Sequence, residues 1–348
     1  MLARITTFAV VDPVAALRRV AYLLEAEGAA TYKVRAFRRA AETLAAEPPA
    51  RIEELARSKR LTSLPGIGDS TAAVVAEALA GHEPAYLTDL VGRAETPPTG
   101  PVAALRARLR GDCHSHSDWS DGGSPVRDMA EAARDLGHDY LALTDHSPRL
   151  TVAHGLNPER LRQQLDLVAA LNEELAPFRI LTGIEVDILE DGRLDQDESL
   201  LARLDVVVAS VHSKLSMDPG PMTKRMVAAV ESPHTDILGH CTGRKLVGKG
   251  RPESRFDAEL VFATCARTGT AVEINSRPER RDPPEALLRH ALALGCLVSI
   301  DTDAHAPGQL EWLRNGCEQA VAAETPDDRI VNAWPMEQLL AWTAGHAA

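Results

Sequence analysis

Six of the chain's twelve histidines lie at or just past the ends of short apolar runs, and four of these six lie close to an Asp. Two segments hold such residues two positions apart, His114 with His116 and Asp303 with His305. On a strand, residues two apart project to the same side, so each pair can bind one ion. A single histidine of this kind is more often a packing residue, but six beside carboxylates favour zinc, manganese or iron. Nine candidate ligands exceed the coordination of one ion, so we expect two or three divalent ions.

The elements that must position these segments are seven short apolar or β-branched runs, each followed by polar residues. The runs lie near 111–116, 140–145, 179–188, 205–211, 236–240, 271–275 and 297–302. Helical stretches alternate with them, at Pro125–Leu136, Pro158–Leu175, Met222–Val230, Ser254–Thr268, Pro284–Leu294 and Leu310–Ala323. Seven βα units predict an α/β fold, a distorted (β/α)7 TIM-like barrel. The carboxyl ends of its strands open on one face, where the polar segments converge.

The N-terminal part of the chain has a different pattern, with apolar residues at helical spacing in Val14–Glu27, Val34–Leu44 and Thr71–Leu79. A Pro- and Gly-rich stretch, Glu95–Pro101, follows and is typical of a connector. We therefore predict a small all-α domain over residues 1–95, a linker over 96–110 and the barrel over 111–348.

The segment Leu64-Pro-Gly-Ile-Gly68 predicts a tight hairpin between two helices. Gly66 and Gly68 let the backbone turn, so that amide groups at the start of the next helix can face a DNA phosphate. Lys33, Arg35, Arg38 and Arg39 place cations on a nearby helix, suited to contacts with the DNA backbone. The alternative is an ordinary helical hairpin without a DNA role.

The charge, the cysteine pattern and the lengths of the apolar runs indicate which classes of protein the chain can belong to. The net charge is −12, divided into +3 for residues 1–110 (15 Lys and Arg, 12 Asp and Glu) and −15 for residues 111–348 (23 against 38). The five cysteines are scattered without a CxxC pair, which argues against disulfides and a zinc knuckle. No apolar run approaches the roughly 20 residues of a membrane span. We expect a soluble, cytoplasmic protein of unknown oligomeric state.

The histidine segments resemble the PHP (polymerase and histidinol phosphatase) family. Its HxHxxxSDG pattern, TDH triplet, lone Glu, two strand-end His and final DxDAH-like segment occur in order over about residues 111–342. The resemblance implies the PHP form of the barrel. Carried over by position, it implies three metal sites, held by His114, His116, Glu185 and Asp303; by Glu185, His212 and His240; and by Asp121, His146 and His305.

In detail the chain resembles the C-terminal PHP domain of bacterial family X DNA polymerases, through Thr242-Gly-Arg244, Glu273-Ile-Asn275 and Asn332-Ala-Trp-Pro335. Cys241 and Arg277 depart from that subgroup. Residues 13–92 resemble the small helix-hairpin-helix domain of the same polymerases, but Val74 stands where they carry a lyase lysine, so we expect no lyase activity. The short connector leaves no room for a polymerase palm, and we expect no polymerase activity.

Together these features predict a metal-dependent phosphoesterase. Metal ions lower the pKa of a bound water towards neutrality, so hydroxide can attack a phosphate ester. We expect Glu185 to bridge two ions and Asp145 and Asp301 to orient imidazoles, whereas Lys214 and Arg277 are candidate phosphate ligands; the predicted catalytic residues are Glu185, Asp303, His305 and Arg244.

The preferred substrate is a DNA 3′ end, through 3′-5′ exonuclease or 3′-phosphatase activity in repair. One alternative is a small-molecule phosphatase of the histidinol-phosphatase type, which the acidic barrel suits. The other alternative is a non-catalytic DNA-binding protein. The presence of all nine candidate metal ligands argues against it.

Overall fold

The fold is described from a computed structural model, for residues 12–94 and 97–346. The chain divides into two compact units, Met1–Thr96 and Pro97–Ala348. Residues 95 and 96 of the predicted connector, Glu95–Pro101, lie outside the described residues. Residues 1–11 of the predicted helical domain lie outside them as well.

Helices are the regular secondary structure of the first unit in residues 12–94. Asp12 caps its first helix by accepting a hydrogen bond from the Val14 backbone amide at 3.0 Å. Apolar side chains on one face of each helix pack together, among them Leu17, Phe37 and Leu44. Its helices are α1 (Pro13–Ala26), α2 (Thr31–Ala45), α3 (Pro49–Arg57), α4 (Asp69–Leu79) and α5 (Ala85–Arg93).

Seven parallel strands in consecutive order form the second unit. Runs such as Val206-Val207-Val208 are buried on both faces of the sheet, as in α/β barrels. A bridge between Ser115 and Ala304 brings the first and last strands together, so the barrel is nearly closed. The strands are β1 (Gly111–Ser115), β2 (Tyr140–Leu143), β3 (Arg179–Asp187), β4 (Val206–Ser210), β5 (Ile237–Leu238), β6 (Ala271–Asn275) and β7 (Val298–Asp301).

Helices follow the strands and cover the sheet, which confirms the predicted (β/α)7 class. No helix within the described residues is long and apolar enough to span a membrane. The helices of this unit are α6 (Gly100–Arg106), α7 (Val126–Asp135), α8 (Pro158–Leu175), α9 (Glu198–Leu201), α10 (Pro219–Val230), α11 (Ala258–Thr268), α12 (Glu285–Ala293), α13 (Leu313–Ala322) and α14 (Met336–His346).

Part of the stretch predicted as a linker, 96–110, is instead ordered structure of the second unit. Helix α6 lies within it, and Leu105 and Leu109 are buried against Ile274, Leu288 and neighbouring side chains. This segment packs against the second unit because burial of the two leucines removes apolar surface from water. The prolines and glycine just before them are typical of a connector, so the composition did not indicate this packing. The second unit accordingly begins at Pro97.

Candidate metal centre

The candidate ligands follow the carboxyl ends of the strands. His114 lies in β1, Glu185 in β3, and His212 and His240 follow β4 and β5. The loop after β1 returns to the site through a tight turn at Gly122, where a Cβ atom would lie 2.5 Å from the Ser117 carbonyl oxygen. That turn holds the preceding residue, Asp121, near the imidazoles, so that the loop adds a carboxylate to the strand-end ligands.

Glu185 lies at the centre of the cluster. One carboxylate oxygen, Oε1, is 2.9 Å from Nε2 of His240 and 3.2 Å from Nε2 of His212. The other, Oε2, is 3.4 Å from Nε2 of His114 and 3.6 Å from Nε2 of His116. A carboxylate with imidazoles on both oxygens has the arrangement needed to bridge two ions.

Asp303 and Asp121 complete two further groups of ligands. Asp303 Oδ1 lies 3.3 Å from Nε2 of His116 and 4.0 Å from Nε2 of His114. Asp121 Oδ1 lies 3.3 Å from Nε2 of His305 and 3.5 Å from Nε2 of His146. The structure thus brings all nine sequence-predicted ligands into one cluster.

The nine ligands lie in one cluster, but the structure does not divide them into separate sets for individual ions. Three groups have ligand atoms close enough to share an ion: His116, Asp121, His146 and His305; His114, His116 and Glu185; and His146, Glu185 and His212. His116 and His146 each belong to two of these groups. The allocation of residues to three separate ions stays a prediction.

Buried polar atoms without hydrogen bonds show that this cluster fits metal ions. Among the described residues, Nε2 of His114, both ring nitrogens of His116 and both carboxylate oxygens of Glu185 have no hydrogen-bond partner. These residues are at most 1% exposed, and buried polar atoms left unsatisfied are costly. Divalent cations bound by nitrogen and carboxylate oxygen would satisfy them.

The charges of the cluster are strongly coupled. Burial opposes ionisation of Glu185, but the adjacent imidazoles of His212 and His114 hold the pKa of Glu185 well below its usual range. Burial, together with the neighbouring imidazoles of His305 and His146, lowers the pKa of His116 well below 6.5. Glu185 is therefore ionised beside a neutral His116. Against the effect of burial, Glu185 raises the pKa of His212 to about 9, and Glu273 raises the pKa of His114 well above 6.5. Bound cations would replace the protons on these two imidazoles.

Two carboxylates that sequence reasoning missed orient the imidazoles. Glu273 Oε1 lies 2.6 Å from Nδ1 of His114, and its other oxygen accepts a hydrogen bond from the backbone of His240. Asp187 Oδ1 lies 3.5 Å from Nδ1 of His212. Asp187 is two positions from Glu185 in β3, and Glu273 begins the Glu-Ile-Asn motif in β6. These were the signals in the sequence that could have identified the two carboxylates.

The prediction that Asp145 and Asp301 orient imidazoles was wrong. Asp145 accepts hydrogen bonds from Ser117, Ser120 and the side chain of Gln164, and so organises the loop that leads to Asp121. Asp301 accepts a hydrogen bond from the backbone amide of Cys113 at 2.8 Å. Sequence proximity to a ligand did not reveal which way each side chain points.

Two arginines in the loop after β6 contact the cluster directly. Arg277 Nη1 donates to the Asp303 carbonyl oxygen at 2.9 Å and lies 2.8 Å from Nδ1 of His305. Arg280 Nε lies 3.4 Å from Asp303 Oδ2, while Nε and Nη1 of Arg280 have no hydrogen-bond partner within the described residues. Sequence reasoning named Arg277 and missed Arg280.

The other predicted phosphate ligands have different partners. Arg244 donates to the carbonyl oxygens of Arg280, at 3.0 Å, and Arg281, and lies 3.5 Å from Glu253. Lys214 is 61% exposed and pairs with Glu190 at 2.7 Å. Arg244 therefore supports the loop after β6 that carries Arg277 and Arg280, which we call the arginine loop. A direct role for Arg244 in phosphate binding stays a prediction.

In the helical unit, the predicted cations separate into two kinds. Lys33, Arg35 and Arg39 are exposed on α2, and Arg39 packs against the hairpin, where a Cβ on Gly66 would lie 2.9 Å from its side chain. Arg38 instead pairs with the buried Glu25 at 2.6 Å.

The two hairpin glycines have separate structural roles. Gly66 has φ +79°, a left-handed conformation that side chains disfavour. Gly68 precedes α4, and its amide donates to Thr71 Oγ1 at 2.9 Å. The amide of Gly68 is therefore already bonded within the hairpin, and Gly66 shapes the turn.

Family comparisons match both units. A model of the PHP domain matches residues 112–277, which contain every candidate ligand except Asp303 and His305. Residues 112–277 are a PHP domain. A model of the helix-hairpin-helix domain matches residues 11–84. The chain thus carries a helix-hairpin-helix domain before a PHP barrel.

Relatives of the chain fall into two groups. It is 40% identical over 235 residues to the DNA polymerase/3′-5′ exonuclease PolX of Bacillus subtilis, a match that covers 68% of this chain and 41% of PolX. The chain therefore spans less than half the length of that relative. It is 27% identical over 232 residues to a probable phosphatase of Thermoanaerobacter sp., covering 64% of this chain and 89% of that protein.

Among solved structures, the chain is similar to histidinol phosphate phosphatase from Lactococcus lactis, complexed with zinc, L-histidinol and phosphate. The match has a TM-score of 0.41 and 18% identity, and it covers 62% of this chain and 92% of that protein.

Proposed function

We propose that this chain is a metal-dependent phosphoesterase that acts on DNA 3′ ends, as a 3′-5′ exonuclease or a 3′-phosphatase. The reaction class, hydrolysis of a phosphate ester, is that of the PHP domain and of the relatives it matches. The observation that carries the proposal is the convergence of six imidazoles and three carboxylates beside two arginines.

Two or three divalent ions, zinc, manganese or iron, are the proposed cofactors. We assign them to the nine predicted ligands, with Glu185 shared between two ions. When bound, such ions supply an activated water at neutral pH and neutralise phosphate charge. Glu273 and Asp187 keep His114 and His212 oriented, so the ligands are fixed before substrate arrives.

The arginines beside Asp303 are the proposed phosphate ligands of the chain itself. Arg277 is held by Glu279 at 2.9 Å and by the Asp303 backbone, which orients its guanidinium group beside the cluster. Arg280 keeps two nitrogen atoms free of hydrogen bonds within the described structure. A guanidinium group donates charge-assisted hydrogen bonds to phosphate oxygens, so Arg280 is suited to orient the ester and stabilise its developing charge.

The DNA part of the proposal is supported by the helical unit. It belongs to the helix-hairpin-helix family, and Lys33, Arg35 and Arg39 are exposed on one helix beside the hairpin. Contacts of this kind bind phosphates without reading sequence. The PolX relative, whose printed name includes a 3′-5′ exonuclease, matches 68% of this chain.

A small phosphomonoester is the second candidate substrate. It is favoured by the net charge of −15 over residues 111–348, which repels a polyanion, and by the probable phosphatase relatives. In that case the helical unit would have no part in substrate binding.

The test compares hydrolysis of a 3′-recessed DNA duplex, the same duplex with a 3′-phosphate, and histidinol phosphate, each with added Mn²⁺ or Zn²⁺. We expect shortening or dephosphorylation of DNA that is lost in chelator and in His116→Ala, which controls for contaminating enzymes. Turnover of histidinol phosphate without turnover of either DNA would contradict the DNA proposal and support the second candidate.

A further inference from the structure

Residues 243–251 form a short hairpin at the carboxyl end of the barrel, after β5 and its ligand His240. The backbones of Lys245 and Arg251 exchange two hydrogen bonds of 2.9 Å, and they form an antiparallel bridge. Gly243, Gly248 and Gly250 have φ of +60°, +67° and +63°, left-handed values that permit so tight a turn. We call this segment the basic hairpin.

The basic hairpin is joined to the arginine loop beside the metal cluster. The Leu246 amide donates to the Glu279 carbonyl oxygen at 2.7 Å, and Arg244 Nε donates to the Arg280 carbonyl oxygen at 3.0 Å. The same loop places Arg277 and Arg280 against Asp303. The hairpin is thus connected, through one loop, to the predicted reaction centre.

The charge of the basic hairpin is opposite to that of its surroundings. It carries four cations and no carboxylate, in a half of the chain with net charge −15. Lys245 and Lys249 are exposed, and no ion pair involves either lysine within the described residues. Burial and the nearby guanidinium groups of Arg280 and Arg251 lower the pKa of Lys245, which shows how closely these positive charges lie.

The tip of the basic hairpin is apolar. Leu246 and Val247 are 53% and 59% exposed, among the few large apolar side chains of the described structure that face solvent. Adjacent exposed aliphatic side chains between cations are unlike a solvated loop, which is normally polar. Apolar side chains of this type pack against bases in many DNA complexes, while neighbouring cations hold the phosphates.

We propose that the basic hairpin binds the DNA strand whose 3′ end is hydrolysed. Lys245, Lys249 and Arg251 bind backbone phosphates next to the reacting one, and Leu246 and Val247 pack against a terminal base. The inference rests on the proposed function and deepens it: the substrate is a strand with several phosphates, and the acidic barrel binds it through this local reversal of charge.

The experiment measures kcat/KM for a 3′-labelled oligodeoxynucleotide and for p-nitrophenyl phosphate, with Mn²⁺, over a series of KCl concentrations. Lys249→Glu is compared with Lys224→Glu, which makes the same charge change at an exposed position of α10. Leu246→Ser is compared with Leu260→Ser, at a side chain 50% exposed on α11. Melting temperatures verify that all four variants fold.

We expect Lys249→Glu to lower the ratio of DNA to p-nitrophenyl phosphate turnover about tenfold, the effect of one lost charge-assisted contact. The slope of log(kcat/KM) against log[KCl] for DNA should decrease by about 1. Leu246→Ser should lower the same ratio about threefold through lost contact with a base. The two control variants should keep the ratio of the wild-type protein.

Two results would overturn the inference, and they differ in what else they contradict. If the wild-type protein hydrolyses DNA and Lys249→Glu keeps the ratio and salt slope of Lys224→Glu, the hairpin does not bind the strand and the proposed function stands. If the wild-type protein hydrolyses p-nitrophenyl phosphate and not DNA, the DNA substrate and the hairpin assignment both fail.

Discussion

Within residues 12–94, the helical unit buries apolar side chains, with Glu25 and Thr71 as its buried polar residues, whereas the barrel buries a cluster of imidazoles and carboxylates. In the helical unit, Glu25 is neutralised by Arg38 and its hydrogen bonds are internal. In the barrel, several buried ligand atoms have no partner within the described residues. The difference teaches that the first core consists almost entirely of packed apolar side chains, while the second contains buried ligand atoms that bound cations would satisfy.

The largest effect should follow from changing the carboxylate at the centre of the barrel cluster. Glu185→Gln removes the negative charge that five imidazoles surround, so cations would lose their shared ligand. We expect turnover of p-nitrophenyl phosphate to fall at least about a thousandfold, and added Mn²⁺ to stop raising the melting temperature. Glu173→Gln, at an exposed position of α8, is the control. Normal turnover in Glu185→Gln would contradict the assigned centre.

A smaller effect concerns a buried imidazole outside the cluster. His138 is 4% exposed, and neither ring nitrogen has a hydrogen-bond partner within the described structure. Burial, with a smaller contribution from Arg106, lowers the pKa of His138 to about 3. Because this pKa lies below the usual 6.5, the folded protein resists protonation, and stability is lost as the pH falls from about 6.5 towards 3.

The measurement is urea unfolding at several pH values for the wild-type protein and His138→Leu, with His82→Leu as an exposed control. Between about pH 6.5 and 5.5, the wild-type free energy of unfolding should fall about 1 kcal/mol more than that of His138→Leu. Equal pH dependence in the two proteins would show that this imidazole is not held neutral by its surroundings.

The smallest effect is expected at the surface of the helical unit. Arg39→Gln removes one exposed cation that packs beside Gly66, so DNA affinity should fall about threefold to fivefold and the salt slope should decrease by about 1. Fluorescence anisotropy with a labelled duplex measures both. Arg18→Gln, at an exposed position of α1, should have little effect. Equal losses of DNA affinity in the two variants would contradict a contact between DNA and the helical hairpin at Gly66.

The sequence predicted the barrel well because each of its strands is a short buried run that ends in polar residues. Helix α8 has the predicted bounds, Pro158–Leu175. Helix α6 was missed because Pro98, Gly100 and Pro101 are typical of a connector, and burial of Leu105 and Leu109 outweighs that local preference. Helix α14 was not predicted either, although Leu339 is fully buried.

At the site, residue type and position at strand ends predicted that imidazoles and carboxylates converge, and the resemblance to the PHP family selected the nine candidate ligands among them. Sequence could not predict pairings between distant side chains, such as Glu273 with His114 or Arg38 with Glu25. Arg280 was missed for the same reason: its place beside Asp303 depends on a loop shape that Arg244 supports through backbone carbonyl groups.

The most direct test of the account is the metal content of the purified protein, measured by mass spectrometry before and after chelation, together with DNA-end hydrolysis in the same samples. The account predicts two or three divalent ions per chain, loss of hydrolysis when they are removed, and recovery of both when Mn²⁺ or Zn²⁺ is restored. Full hydrolysis of DNA ends by protein stripped of metal would contradict it.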